Sequence, residues 1–306
     1  MVSHNHPTAR SSPPTHLSAA QMADIAQTDA PGPGTFDLTA GNSSSAAAKP
    51  TSPPPAVLLG LSGPSSSGKT TLARLLRDIL PNAYILHLDD FYKHDSQIPV
   101  NDKGIQDWDC LGAIDVPALR AALAHMRAHG EPPPDFVSKE DKNAVGECGI
   151  AAEAIERCRA RVRRFFEQAG VAERLGGRRI AMVDGFLLFS EEMAELGIRD
   201  QFDVKLFLRT NYQTAKRRRE ARSGYVTLEG FWEDPPGYVD DIVWPNYVKD
   251  HKFLFKEGDI NGEVDEEVCK RIGIKAMPKD AAEDMGKVLD WATKVIVDEL
   301  DKITRS

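Results

Sequence analysis

Long apolar runs are missing from this chain: no stretch approaches the ~18 apolar residues that a membrane-spanning helix needs. The N-terminal stretch has no apolar core of the secretory kind. Its first 48 residues hold one arginine, Arg10, which also speaks against a mitochondrial presequence. Cysteine is scarce. Cys110, Cys148, Cys158 and Cys269 form no CxxC pair and stand in no zinc-site spacing with histidine, so they read as scattered buried thiols of a reducing compartment. His4 and His6 read as a solvated tail, not as metal ligands. A basic excess is lacking as well. With 46 acidic against 38 basic residues the net charge is −8, which makes nucleic acid a poor default partner. The expected setting is the cytoplasm, with the nucleus as the other compartment, and without membrane attachment.

The composition is uneven. Residues 1–55 are dominated by Ser, Thr, Pro, Ala and Gly, too poor in apolar surface to offset their ordering entropy, and read as a disordered low-complexity tail. From residue 56 the chain turns globular. "AVLLGLS" (56–62) and "YILHL" (84–88) read as buried strands, "RIAMVDGFLLF" (179–189) opens as a third, "FDVKLFLR" (202–209) is a fourth, and "IGIKAMP" (272–278) a short last one. Helices are expected from Lys69 to Pro81, over 115–129, 151–175 and 211–222, and from about 279 to 303. Strands alternating with helices imply parallel βαβ units.

"GPSSSGKTT" follows the first strand and opens the first helix, and it satisfies GxxxxGK[ST] in full. Gly63, Ser65, Ser66, Ser67 and Gly68 are small enough for successive backbone N–H groups to converge on phosphate oxygens, and the helix N-terminus adds positive potential. Lys69 is placed to reach the β- and γ-phosphates, Thr70 to ligate Mg²⁺, and Thr71 to complete the nucleotide-binding turn. Asp184, at the end of the apolar run "IAMVD", is a second candidate for the metal, held directly or through water.

A guanine-reading NKxD after a strand is absent; "DKNAV" (141–145) has the wrong order. A small-molecule kinase would need a base, an acceptor pocket and mobile cations. "HLDDFYK" (87–93) offers Asp89 and Asp90 at a strand end, of which Asp89 is favoured as the base. "QDWD" (106–109) offers Asp109 for two adjacent sugar hydroxyls and Trp108 as a flat face; alone, the pair fits equally a core Trp beside a capping Asp. "KRRREAR" (216–222) places Arg218, Arg219 and Arg222 three and four residues apart on a helix, a lid of guanidiniums or a solvated face.

Together with "DGFLLF" and "DPPGYVDDIVWPNYVK" (234–249), these motifs resemble the nicotinamide riboside kinases, a branch of the P-loop nucleoside kinases, in order from about 57 to 250. The resemblance implies an α/β P-loop three-layer fold with a five-stranded parallel sheet of order 2-3-1-4-5 and a lid helix, a kinase domain over 56–306. It implies transfer of phosphate from ATP, with Mg²⁺, to the 5′-hydroxyl of nicotinamide riboside for NAD synthesis, the riboside of nicotinic acid being a second acceptor. It implies Asp89 as the general base; from the residues themselves, Lys69 and Asp184 join it as expected catalytic residues, with Thr70 and Asp184 at the metal and Arg218 and Arg222 on the nucleotide. Asp109 would grip the ribose diol, Trp108 and Tyr225 would stack on the pyridine ring, and Arg219 would sit near ribose and phosphates. A uridine- or cytidine-type kinase, or a P-loop protein acting through a partner, are the alternatives. Compared with compact members, residues 131–178 read as an insertion, a surface elaboration or the seat of an unknown partner.

Overall fold

The structure is a computed structural model that describes residues 56–139, 148–222, 224–226 and 230–305, with the side chains of Tyr225 and Val226 outside the described set. The tail at 1–55 and all of "DKNAV" (141–145) also lie outside it.

Strand β1 (Val57–Ser62) is buried along its whole length, as a central parallel strand covered on both faces must be. It pairs in parallel with β3 (Ile180–Gly185) on one side and β4 (Val204–Phe207) on the other. Strand β2 (Ala83–His87) adds outside β3, and β7 (Ile274–Ala276) outside β4. The order is β2-β3-β1-β4-β7. That is the expected 2-3-1-4-5 topology, with β7 as the fifth strand of the sheet. The two strands between β4 and β7 in sequence, β5 (Tyr225–Val226) and β6 (Phe231–Trp232), form a separate antiparallel hairpin that the sequence did not announce.

Side chains alternate between two cores. Leu58, Ala181 and Val183 face the layer of α2 (Val116–His129), α5 (Glu191–Glu195), α7 (Trp244–His251) and α8 (Glu266–Ile272). Leu59, Leu61, Met182 and Leu206 face the layer of α1 (Lys69–Ile79), α3 (Ala152–Phe166), α4 (Val171–Leu175) and α9 (Met285–Arg305). The remaining helix, α6 (Tyr212–Glu220), starts on Asn211, whose side chain accepts from the Thr214 N–H at 2.8 Å.

Two expectations change. The single helix expected over 151–175 is α3 and α4, separated by Gly170 at φ 81. The last helix begins at Met285, behind a 3₁₀ turn at Lys279–Ala281. Within residues 131–178, Cys158, Val162 and Phe165 of α3 are buried in the α1/α9 layer. Of the four free cysteines, Cys158 and Cys269 are buried while Cys110 and Cys148 are half-buried, so the expectation of uniformly buried thiols holds for two. Among the described residues, no helix is long and apolar enough to cross a membrane.

Candidate active site

The parallel strands end at one edge, and the loops leaving that edge build the site, as open α/β sheets dictate. The turn between β1 and α1 is set by glycine. Gly63 stands at φ 144, and a Cβ there would lie 2.2 Å from the Leu208 carbonyl oxygen, so no other residue fits against β4. Gly68 enters α1 at φ 96. The Ser67 N–H donates to the Pro64 carbonyl at 3.2 Å, and Lys69 Nζ donates to the same oxygen at 2.9 Å. The Ser66 and Ser67 hydroxyls are buried with no hydrogen-bond partner among the described residues. Such groups ask for a ligand oxygen. Burial lowers the Lys69 ammonium to about 8, with Arg222 pushing the same way, while Asp184, Asp89 and Asp109 oppose the fall.

β3 carries Asp184 to the same edge, in register with His87 of β2. Thr70 Oγ1 donates to Asp184 Oδ2 at 2.7 Å, and the His87 Nδ1 meets the other carboxylate oxygen. Burial pushes Asp184 up, but His87, the Thr70 hydroxyl and Lys69 outweigh it and leave the carboxyl below its ordinary value. A hydroxyl beside an ionised carboxylate at the phosphate loop fits Mg²⁺, which takes hard oxygen ligands and keeps waters and phosphate oxygens for the rest. Among the described residues no group of three or more His, Cys, Asp or Glu forms a metal cluster.

The 3₁₀ turn Leu88–Phe91 that follows β2 separates the two neighbouring aspartates. Asp89 lines a cavity with Lys69, Thr70, Asp184, Trp108, Asp109, Arg219 and Arg222. Asp90 turns away and accepts the Lys139 N–H at 2.6 Å. Asp109, 4 % exposed, takes both terminal nitrogens of Arg219 at 3.1 and 3.0 Å. Burial raises Asp109, the Arg219 guanidinium pulls it down, and Asp234 and Asp107 add to the rise, so the carboxyl ends above its ordinary value. Arg219 also reaches Ser65 Oγ at 2.8 Å and Asp234 at 2.7 Å, tying α6 to the phosphate loop and, through Asp109, to the "QDWD" loop at once. Arg218 donates to the Ser66 carbonyl at 3.4 Å.

Trp108 lines the cavity with Tyr92, Phe186 and Trp232. Its indole meets Tyr92 edge-on at 5.3 Å and Trp232 at 5.6 Å, tilted. Tyr225, expected as the second stacking aromatic, has its backbone in β5 and its side chain outside the described residues. Trp232, across the hairpin from it, lines the cavity.

Sequence reading missed His87, Tyr92, Phe186, Trp232, Asp234 and Tyr238. The signal for His87 was its place at a strand end, directly before "LDD". Tyr238 lies in the "PGYVDD" block, whose distance in sequence hides what it does. Its hydroxyl accepts the Trp108 N–H at 2.9 Å and donates to the Gln106 carbonyl at 3.1 Å. Asn246 donates to both oxygens of Asp107 at 2.9 and 3.0 Å. The block is a buttress for the "QDWD" loop.

A strand, phosphate loop and helix, with a carboxylate at the neighbouring strand end and arginines on a lid, define a P-loop phosphotransferase. No protein-family model matches the chain. It is 38% identical over 245 residues to "Nicotinamide riboside kinase" of Schizosaccharomyces pombe, covering 80% of this chain and 97% of that one. The protein of the same name from Saccharomyces cerevisiae is 32% identical, over 79% of this chain and 95% of its own. "Nicotinamide riboside kinase 2" of Homo sapiens is 29% identical, over 63% and 66%. The chain belongs to the nicotinamide riboside kinase family.

Proposed function

We propose that the protein transfers the γ-phosphoryl group of ATP to the 5′-hydroxyl of nicotinamide riboside, giving the mononucleotide from which NAD is made. The observation that carries this reading is one cavity lined by Lys69, Asp89, Asp109 and four aromatic rings, Tyr92, Trp108, Phe186 and Trp232. The pyridinium of the riboside is a cation. Aromatic faces attract it by roughly 0.5–2 kcal/mol, and two carboxylates add to that attraction. Neutral uridine would gain less.

The phosphate loop amides and Lys69 hold the triphosphate. Thr70 and Asp184 would hold Mg²⁺, which screens the phosphate charge and orients the γ-phosphoryl group. Asp109 takes the ribose 2′- and 3′-hydroxyls, and Arg219, already on Asp109 and Ser65, couples the acceptor to the donor. Asp89 accepts the 5′-hydroxyl proton as that oxygen bonds to the γ-phosphorus and the bond to the β-bridging oxygen breaks, releasing ADP.

ADP release from purified protein with Mg·ATP and a panel of nicotinamide riboside, nicotinic acid riboside, uridine and cytidine tests the reading. The highest kcat/KM is expected for nicotinamide riboside. Faster turnover of uridine would overturn the assignment.

A further inference from the structure

Asp184 is held at both of its oxygens. Thr70 Oγ1 donates to Oδ2 at 2.7 Å, and His87 Nδ1 bonds Oδ1. We propose that His87 is a positioning residue for the metal: its ring fixes the rotation of the Asp184 carboxylate, and through it the Thr70 hydroxyl, so that both turn oxygens toward the cation that accompanies the nucleotide. The inference rests on the metal reading above and adds to it a residue with no other assigned role.

The backbone enforces the contact. β2 and β3 run parallel with His87 opposite Asp184, so the two side chains leave the sheet on one face. They end 1 % and 4 % exposed. A carboxylate taken so far out of water needs hydrogen bonds to stay charged.

The two bonds also have a direction. A carboxylate oxygen accepts, so the proton of one contact sits on His87 Nδ1 and that of the other on Thr70 Oγ1. With its proton committed to Asp184, the Thr70 oxygen keeps its lone pairs for a hard cation. The terminal torsion of an aspartate is soft, with no deep staggered wells. One hydrogen bond would let the carboxylate rock about it. A second, from a ring carried on the neighbouring strand, holds it in one plane.

His87 is also placed to link two parts of the site. It lines the same cavity as Lys69, Thr70, Asp89 and Asp184. The 3₁₀ turn Leu88–Phe91, which carries Asp89, starts on it. One residue therefore joins the turn of the proposed base to the carboxylate at the metal. A bond that merely satisfied a buried carboxylate would show in stability alone. A positioning bond shows in metal affinity, and in which nitrogen does the donating.

Mn²⁺ takes the same class of oxygen ligands as Mg²⁺ and serves as the probe. It is titrated into the ADP complex of the full chain and followed by EPR, with wild type, His87→Leu, His87→Asn and His87→Gln. Losing a hydrogen-bond partner behind a metal ligand costs roughly 10–100-fold in metal affinity. His87→Leu is expected to raise the Mn²⁺ Kd by that factor, while ADP binding in EDTA stays within about twofold and the riboside KM does not move. The amide nitrogen of Asn stands where Nδ1 stands, and that of Gln reaches further along the ring's place. Asn is therefore expected to recover most of the affinity and Gln little. Wild-type metal affinity in His87→Leu overturns the proposal, as does an Asn variant no better than the Gln variant. The contrast between Asn and Gln decides the outcome if the leucine variant does not fold. A wild-type complex that takes up no more Mn²⁺ than ADP alone binds would sink the metal reading itself, a separate result seen before any variant is made.

Discussion

Two adjacent carboxylates, Asp89 and Asp90, end in different environments because a 3₁₀ turn rotates them apart: one lines the cavity and the other accepts a backbone N–H. Asp89→Asn should lower kcat at least ~100-fold, the usual scale of base assistance, with little change in either KM. Steady-state kinetics with both substrates varied checks this, and a variant with near-normal kcat removes Asp89 from the base role. Asp109→Ala should act on the other parameter. Losing a charged hydrogen-bond partner worth about 1.5–3 kcal/mol should raise the riboside KM by ~10-fold or more. The 2′-deoxy riboside should show a similar penalty in wild type and none in the variant. At this scale the phosphate loop was legible because its chemistry demands contiguous residues. The Asp109–Arg219–Asp234 knot was not, since its members are brought together only by folding.

Among the elements, β1, β2, β3, β4 and the main helices followed from apolar periodicity, because a buried parallel strand must be apolar throughout and an amphipathic helix must repeat near 3.6. The β5–β6 hairpin did not. Strands of two residues are too short to alternate, and only their pairing shows Trp232 of the hairpin lining the cavity. The "PGYVDDIVWPNY" block reads as a motif, but its π-helical turn at Val239–Val243 and its buttressing role appear only in three dimensions. Tyr238→Phe should strand the Trp108 N–H and the Gln106 carbonyl, at about 1–3 kcal/mol. A lower Tm and a riboside KM raised several-fold at nearly constant kcat are expected. Unchanged values would show that the acceptor loop holds its shape without the Tyr238 hydroxyl.

Across the whole molecule, stability should weaken in acid through a buried histidine, with Lys69 adding to the effect of burial. His251, 1 % exposed, donates from Nδ1 to the Tyr247 carbonyl, and burial lowers its pKa to about 4. Between the unfolded value near 6.5 and about 4, the unfolded chain binds a proton that the native state refuses. Stability from this group is therefore complete above about pH 6.5 and is lost as pH falls, by about 3 kcal/mol at the lower end. Asp250, raised to about 6 by burial, acts with the opposite sign over part of that range. Comparing wild type with His251→Phe isolates the histidine. The variant should show the shallower loss of denaturant stability between pH 7 and 4.5, and parallel profiles would refute the assignment.

By itself the sequence determined the strands of the parallel sheet, the main helices, the phosphate loop and the kinase motifs, because each is written in neighbouring residues whose periodicity or spacing is the physical requirement. Tertiary structure alone decided that Tyr92, Phe186 and Trp232 join Trp108 in the cavity, that Arg219 ties Asp109 to Asp234, and that α3 packs into the core beside α9. Those outcomes depend on side chains from distant segments competing for the same buried space, and no local pattern records who wins.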